Sequence, residues 1–142
     1  MSIVISDLSF SYGVRPVLEN VNAAAREGEF LSVVGPNGVG KSTLFYCILG
    51  ILNNFRGHIR INSRDNRELG IKDIAKLVAY IPQSHYPSFN YSVFDMVLMG
   101  TSHQISSFSV PGKKQIALVE AALERLGISH LRDRGYNQIS GG

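Results

Sequence analysis

The hydrophobic positions change period along the chain, and the changes mark out its elements. Ile3 to Tyr12, "IVISDLSFSY", is β-branched and aromatic and alternates over its second half, which predicts a strand. Gly13 and Pro16 punctuate a turn. Val17 to Ala25 predicts a second strand, closed by the turn "REGE", so the two form a hairpin-like pair. Phe30 to Gly35, "FLSVVG", is instead a short continuous apolar run. It predicts a strand covered on both faces of a parallel sheet. "KSTLFYCILGIL" has the length and composition of a helix. "GHIRIN", Gly57 to Asn62, alternates as a short strand. Ile71, Ile74 and Leu77 fall on one face of a short helix, and "LVAYIP" is a second buried-type strand stopped by Pro82.

Beyond Gln83 the pattern is helical. Ser92 is placed to cap "SVFDMVLMG", with Asp95 at the third helical position as in a capping box. Lys113 to Leu126 predicts an amphipathic helix with Ile116, Val119, Leu123 and Leu126 on one stripe, Glu120 and Glu124 on the other side, and Gly127 as its stop. Strands and helices alternate up to Pro82 and helices follow. The expected fold is α/β, an alternating core with a helical segment after it.

Composition narrows the classes. With 142 residues, 44% hydrophobic and 18% charged, the chain fits one globular domain. The net charge of +3 comes with no basic cluster, so no nucleic-acid partner is expected. The single cysteine, Cys47, lies in an apolar stretch and is expected to be a buried, inert thiol. The apolar runs fall short of a membrane span, and "MSIVISD" has no signal-peptide pattern, so a cytosolic protein is expected.

Gly35 to Ser42, "GPNGVGKS", fits the phosphate-binding pattern G-x-x-x-x-G-K-[ST], between a predicted strand and a predicted helix. Chance would supply the four fixed positions in such a chain about one time in a hundred. Glycines let the backbone wrap phosphate oxygens with no Cβ in the way, and the helix N-terminus adds partial positive charge. Lys41 would face the β- and γ-phosphates. The Ser42 hydroxyl would ligate Mg²⁺, and the Thr43 N–H would lie near the α-phosphate. The loop alone does not choose among GTPases, kinases, helicases and transporters.

Four pieces, in order, resemble the ATP-binding subunit of an ABC transporter: "FSYG", the Walker A motif "GPNGVGKST", "YIPQ" and "ISGG". The resemblance implies an ABC-type P-loop NTPase fold with antiparallel strands at the N-terminus and a helical subdomain. Tyr12 would stack on adenine. Gly35, Pro36, Asn37, Gly38, Val39, Gly40, Lys41, Ser42 and Thr43 would cradle the phosphates of ATP. Gln83 would be the Q-loop glutamine, near water and Mg²⁺ and coupled to the permease. Ser140, Gly141 and Gly142 would open the LSGGQ signature and contact the γ-phosphate held by a second ATPase subunit in a head-to-tail dimer. Taken singly, Tyr12 is also an ordinary strand aromatic, Gln83 a loop residue and 139–142 a loose end. Their fit to one template is what joins them.

"PSFNYSVFDMVLMG" and "ALERLGISHLRDRGYNQISGG" narrow the resemblance to importer ATPases for ferric siderophores, haem and cobalamin. That implies ATP and Mg²⁺ as ligands, transmembrane permease subunits as partners, a substrate-binding protein indirectly, and a place on the cytoplasmic face of the membrane. Residues 1–85 would form the nucleotide-binding core and 86–142 the helical subdomain. The family's Walker B Asp-Glu, D-loop and switch histidine have no counterpart here, so the parallel sheet is expected to be incomplete and the chain to bind ATP without hydrolysing it. Asp95, Glu120 and Glu124, with His58, His85, His103 and His130, precede the signature and are expected to be structural or surface groups. An ABC-type ATPase with another substrate, or with a non-transport role in DNA repair or translation, is the alternative, although the coiled-coil or zinc insertions usual in the latter are not seen. A P-loop kinase with Arg132 and Arg134 as lid arginines, a GTPase and a nucleotide-binding remnant complete the set.

Overall fold

The computed structural model describes residues 1–82, 89–102 and 110–139. Two compact units result, Met1–Tyr80 and Ile81–Gly142. The first is built on a four-stranded antiparallel sheet of order β2-β1-β3-β4, with β1 Ile3–Tyr12, β2 Arg15–Ala25, β3 Arg56–Ile61 and β4 Arg64–Asp65. β1 lies at the centre, hydrogen-bonded to β2 on one side and β3 on the other.

The buried residues of β1 are Ile5, Leu8 and Phe10. Strict alternation would send Ile5 and Leu8 to opposite faces. A register shift between them, with Asp7 at φ 51, resets the pleat and keeps all three on the core side. Gly57 of β3 (φ 84) lies directly against the Asp7 carbonyl at this irregularity, where a Cβ would collide with backbone. On β3 the alternation is undisturbed: Ile59 and Ile61 are fully buried, and His58 and Arg60 face out.

Helix α1, Lys41–Ile48, buries Thr43, Leu44, Cys47 and Ile48, and its apolar side chains form one core with Leu8, Phe10, Leu18 and Ile59 of the sheet. Burial pushes the Cys47 thiol up to about 11, as expected of an inert thiol. Helix α2, Ile71–Leu77, corrects the expected stripe. Only Ile74 is buried, against Ile61 and Leu69, and Ile71 is 73% exposed at the helix start. A seven-residue helix with one short neighbouring cluster buries its middle turn and not its ends.

The two runs expected as parallel strands are not strands. Residues 30–34 and 78–82 have no strand partner among the described residues. Phe30 is 95% exposed, Val34 86% and Ile81 90%. A strand exists through its ladder, and the ladder among these residues is wholly antiparallel.

In the second unit, α3, Val93–Met99, packs on α4, Lys113–Arg125, through Val93, Val119 and Leu123. The expected Ser92–Asp95 capping box is formed: Ser92 Oγ accepts from the Asp95 N–H at 3.0 Å, and Asp95 Oδ2 accepts from the Ser92 N–H at 3.4 Å. The expected α4 stripe holds at Val119 and Leu123 but not at Ile116 and Leu126, which are 41% and 70% exposed, because α3 is short and meets only part of α4. Gln115 fills the inner side instead, its side-chain oxygen accepting from the Gly112 N–H at 3.1 Å. The N–H groups of Val93 and Phe94 donate to the carbonyls of Arg134 and Arg132, which pins the segment after α4 to the start of α3. No helix among the described residues is long and apolar enough to cross a membrane.

Candidate functional site

The glycine-rich loop 35–40 leads into α1, and Lys41 is the first residue of that helix. Gly38 and Gly40 have φ 81 and 105, a region that residues with a Cβ rarely enter. At Gly40 the reason is also spatial: an added Cβ would lie 3.0 Å from the Val17 carbonyl and from Leu18 Cδ2, so the loop is seated directly on β2. The Lys41 ammonium donates to the carbonyls of Gly35 and Pro36, each at 2.7 Å. It therefore bends back across the loop.

The start of α1 is uncapped. Gly40 contributes no side-chain hydrogen bond and the first turn has no acidic residue. Its leading N–H groups and partial positive charge are left for an external anion. Ser42 is exposed at this end, and Thr43 is 8% exposed.

A cleft of about 520 Å³ lies between this loop and the β1–β2 hairpin, lined by Tyr12, Arg15, Pro16, Val17, Gly38, Val39 and Thr43. The alternation that places Phe10 in the core continues to Tyr12, whose ring stands edge-on to Phe10 with centroids 4.9 Å apart. Phe10 is buried and Tyr12 is 52% exposed, so the Tyr12 ring has a firm support and an open side.

Of the residues expected from the sequence, Tyr12, Gly38, Val39 and Thr43 meet in this cleft. Gly35 and Pro36 hold Lys41, Gly40 seats the loop, and Asn37 is exposed. Gln83, Ser140, Gly141 and Gly142 lie outside the described residues, as do His85 and His103. Sequence reasoning missed Arg15, Pro16 and Val17. Arg15 had a signal, since it follows Tyr12 across a two-residue turn and is its register partner.

Two of the acidic residues, Asp95 and Glu120, have structural partners. Asp95 completes the α3 cap, and Glu120 accepts from Arg132 Nε at 2.9 Å. Arg132 also lies over the Phe94 ring, 4.1 Å from its centroid, which removes it as a mobile lid arginine. Among the described residues no three His, Cys, Asp or Glu side chains are grouped to hold a metal ion. Mg²⁺ would meet the Ser42 hydroxyl here and would otherwise depend on oxygens that a nucleotide brings.

Comparison with known proteins gives this geometry a family. The model of the ABC transporter family matches residues 18–142. A probable iron chelatin transport ATP-binding protein of Helicobacter pylori is 38% identical over 143 residues, covering 100% of this chain and 56% of that protein. A hemin import ATP-binding protein of Bordetella avium is 38% identical over 144 residues, covering 100% and 53%. The chain thus spans about half the length of the curated relatives it matches. In three dimensions it resembles an inward-facing putative metal-chelate type ABC transporter, with TM-score 0.79, 30% identity, and coverage of 99% of this chain and 50% of that one. The chain belongs to the ABC transporter family and has the P-loop fold of its ATPase domains.

Proposed function

We propose that this chain is the ATP-binding part of an importer ATPase subunit, taking MgATP between the β1–β2 hairpin and the phosphate loop. One observation carries the reading: the propped Tyr12 ring and the glycine loop face the same open cleft. The base would lie on Tyr12, the phosphates on the loop and the N-terminal end of α1, with Lys41 turning from the carbonyls to the β- and γ-phosphates. Mg²⁺, borne by the phosphates and touched by Ser42, would neutralise their charge. The names of the relatives support an iron chelate, haem or a similar metal complex as cargo.

In this reading residues 1–85 are the nucleotide-binding core and 86–142 the helical subdomain. Gln83 and the helical part face permease subunits on the cytoplasmic side of the membrane, a substrate-binding protein acts indirectly, and Ser140, Gly141 and Gly142 reach the γ-phosphate on a second ATPase subunit. No carboxylate lines the cleft among the described residues. Hydrolysis needs a group that positions water and an acidic partner for Mg²⁺. Binding without turnover is therefore expected of the 142-residue chain.

Calorimetry with MgATP on wild type and Lys41→Ala tests the site, and phosphate release tests the turnover. Saturable binding lost in Lys41→Ala, with no steady phosphate release, is the expected result. Equal affinity in the two proteins overturns the site. Lys41-dependent turnover overturns the division between binding and catalysis.

A further inference from the structure

Arg15 opens β2 and is the register partner of Tyr12 across the hairpin. Directly opposed residues of paired strands project to the same face, with Cβ atoms about 4.5–5.5 Å apart. Both line the cleft, opposite Gly38 and Thr43. The guanidinium is exposed, and no hydrogen bond or ion pair engages it among the described residues. The other arginines that shape this fold are committed: Arg67 to Asp65 and the Gly57 carbonyl, Arg132 to Glu120 and Asp133. Lys41 is turned into its own loop. Arg15 is thus an unengaged cation on the hairpin side of the cleft, next to the aromatic platform.

The geometry points to a role for it. We infer that Arg15 binds the α-phosphate of the nucleotide, a contact that rests on the ATP-binding reading above. A nucleotide with its base on Tyr12 and its terminal phosphates on the loop must carry its sugar and first phosphate past the hairpin end. A guanidinium presents paired N–H donors that match phosphate oxygens, and it keeps its charge at any working pH. Pro16 and Val17 give that wall apolar surface, so an anion there has few other local partners. The contact serves ATP, ADP and AMP alike. It makes Arg15 a reader of "nucleotide" against "nucleoside", whereas Lys41 would distinguish the polyphosphates.

The test is displacement of a fluorescent ATP analogue from the 142-residue chain by ATP, ADP, AMP and adenosine, for wild type, Arg15→Gln and Arg15→Lys, at low and moderate salt. Arg15→Gln is expected to weaken ATP, ADP and AMP by a common factor, roughly three- to tenfold for an exposed charge-assisted contact. Adenosine should be unaffected. Arg15→Lys should recover part of the loss, and the ATP affinity of Arg15→Gln should fall less steeply with salt. Circular dichroism of the variants, matched to wild type, excludes a folding effect. Unchanged ATP affinity in Arg15→Gln overturns the inference and leaves the ATP reading standing. So does an equal loss for adenosine, which would put Arg15 at the base. If wild type binds the analogue and no nucleotide displaces it, the ATP reading fails and this contact fails with it.

Discussion

The Asn66 side-chain amide donates to the Cys47 carbonyl at 2.7 Å and more weakly to the Ile48 carbonyl at 3.3 Å. The last carbonyls of a helix lack partners within it, and Asn66, 2% exposed, supplies one from the β4–α2 connection. It ties the far end of the phosphate-loop helix to the sheet edge.

Asn66→Ala is expected to destabilise this unit by about 0.5–1.5 kcal/mol, the usual net loss of a buried hydrogen bond, because the Cys47 carbonyl keeps the Gly50 N–H. Asn66→Asp should be worse, because it sets a carboxylate against carbonyl oxygens. Amide hydrogen exchange in α1 is the measurement, with faster exchange across Tyr46–Gly50 expected in both variants. Unaltered protection there would refute the cap.

Tyr12→Ala should weaken ATP binding by roughly 1–3 kcal/mol, the range for a base stacked on an aromatic ring. Tyr12→Phe keeps the edge-on contact with Phe10 and should bind nearly as well as wild type. Calorimetry on the pair separates the ring from the hydroxyl. Full affinity in Tyr12→Ala would reduce Tyr12 to a strand residue.

Stability should respond to acid through Asp65. Its carboxyl is held well below the usual carboxylate range, chiefly by the Arg67 side-chain hydrogen bond and also by His58, against the opposing effect of burial. A carboxyl with a lowered folded-state pKa stabilises the fold above its unfolded value of about 3.9, and that contribution is lost as pH falls below it. Denaturant unfolding of wild type and Asp65→Asn should therefore differ most above about pH 4 and converge at lower pH. A constant gap across the acid range would show that Asp65 acts without its charge.

Phe30 and Val34, almost fully exposed, should make the isolated 142-residue chain prone to association. Replacing both with Ser or Thr should raise the soluble fraction and reduce light scattering, while leaving sheet and α1 signals in place. No gain in solubility would place the cause of association elsewhere.

Local chemistry was legible in the sequence, and neighbour-dependent structure was not. The residue types of Ile3–Tyr12 give β1 its full length, and the Ser92–Asp95 spacing gives the α3 cap. Both depend on residues close in sequence. The irregularity at Asp7, which keeps Ile5 and Leu8 on one face, depends on pairing with two other strands. Residues 30–34 have the composition of a buried strand, but only a partner could make them one. The phosphate loop was legible because its backbone needs glycine at set places. Arg15 was harder to see, because only the hairpin register brings it beside Tyr12.

Lys41 has a consequence for which anions the loop would answer to. Its ammonium already rests on two carbonyls of its own loop, so an arriving anion must exchange for them rather than meet a bare charge. A lone inorganic phosphate offers that ammonium a charged partner in place of two neutral carbonyls, but it spans only part of the loop. A tethered chain of phosphates also reaches the loop and helix N–H groups, and can bear the loss of the internal bonds. In the ATP-binding reading proposed above, the tether would act as a threshold, favouring a ligand long enough to grasp the loop at several points over a small anion.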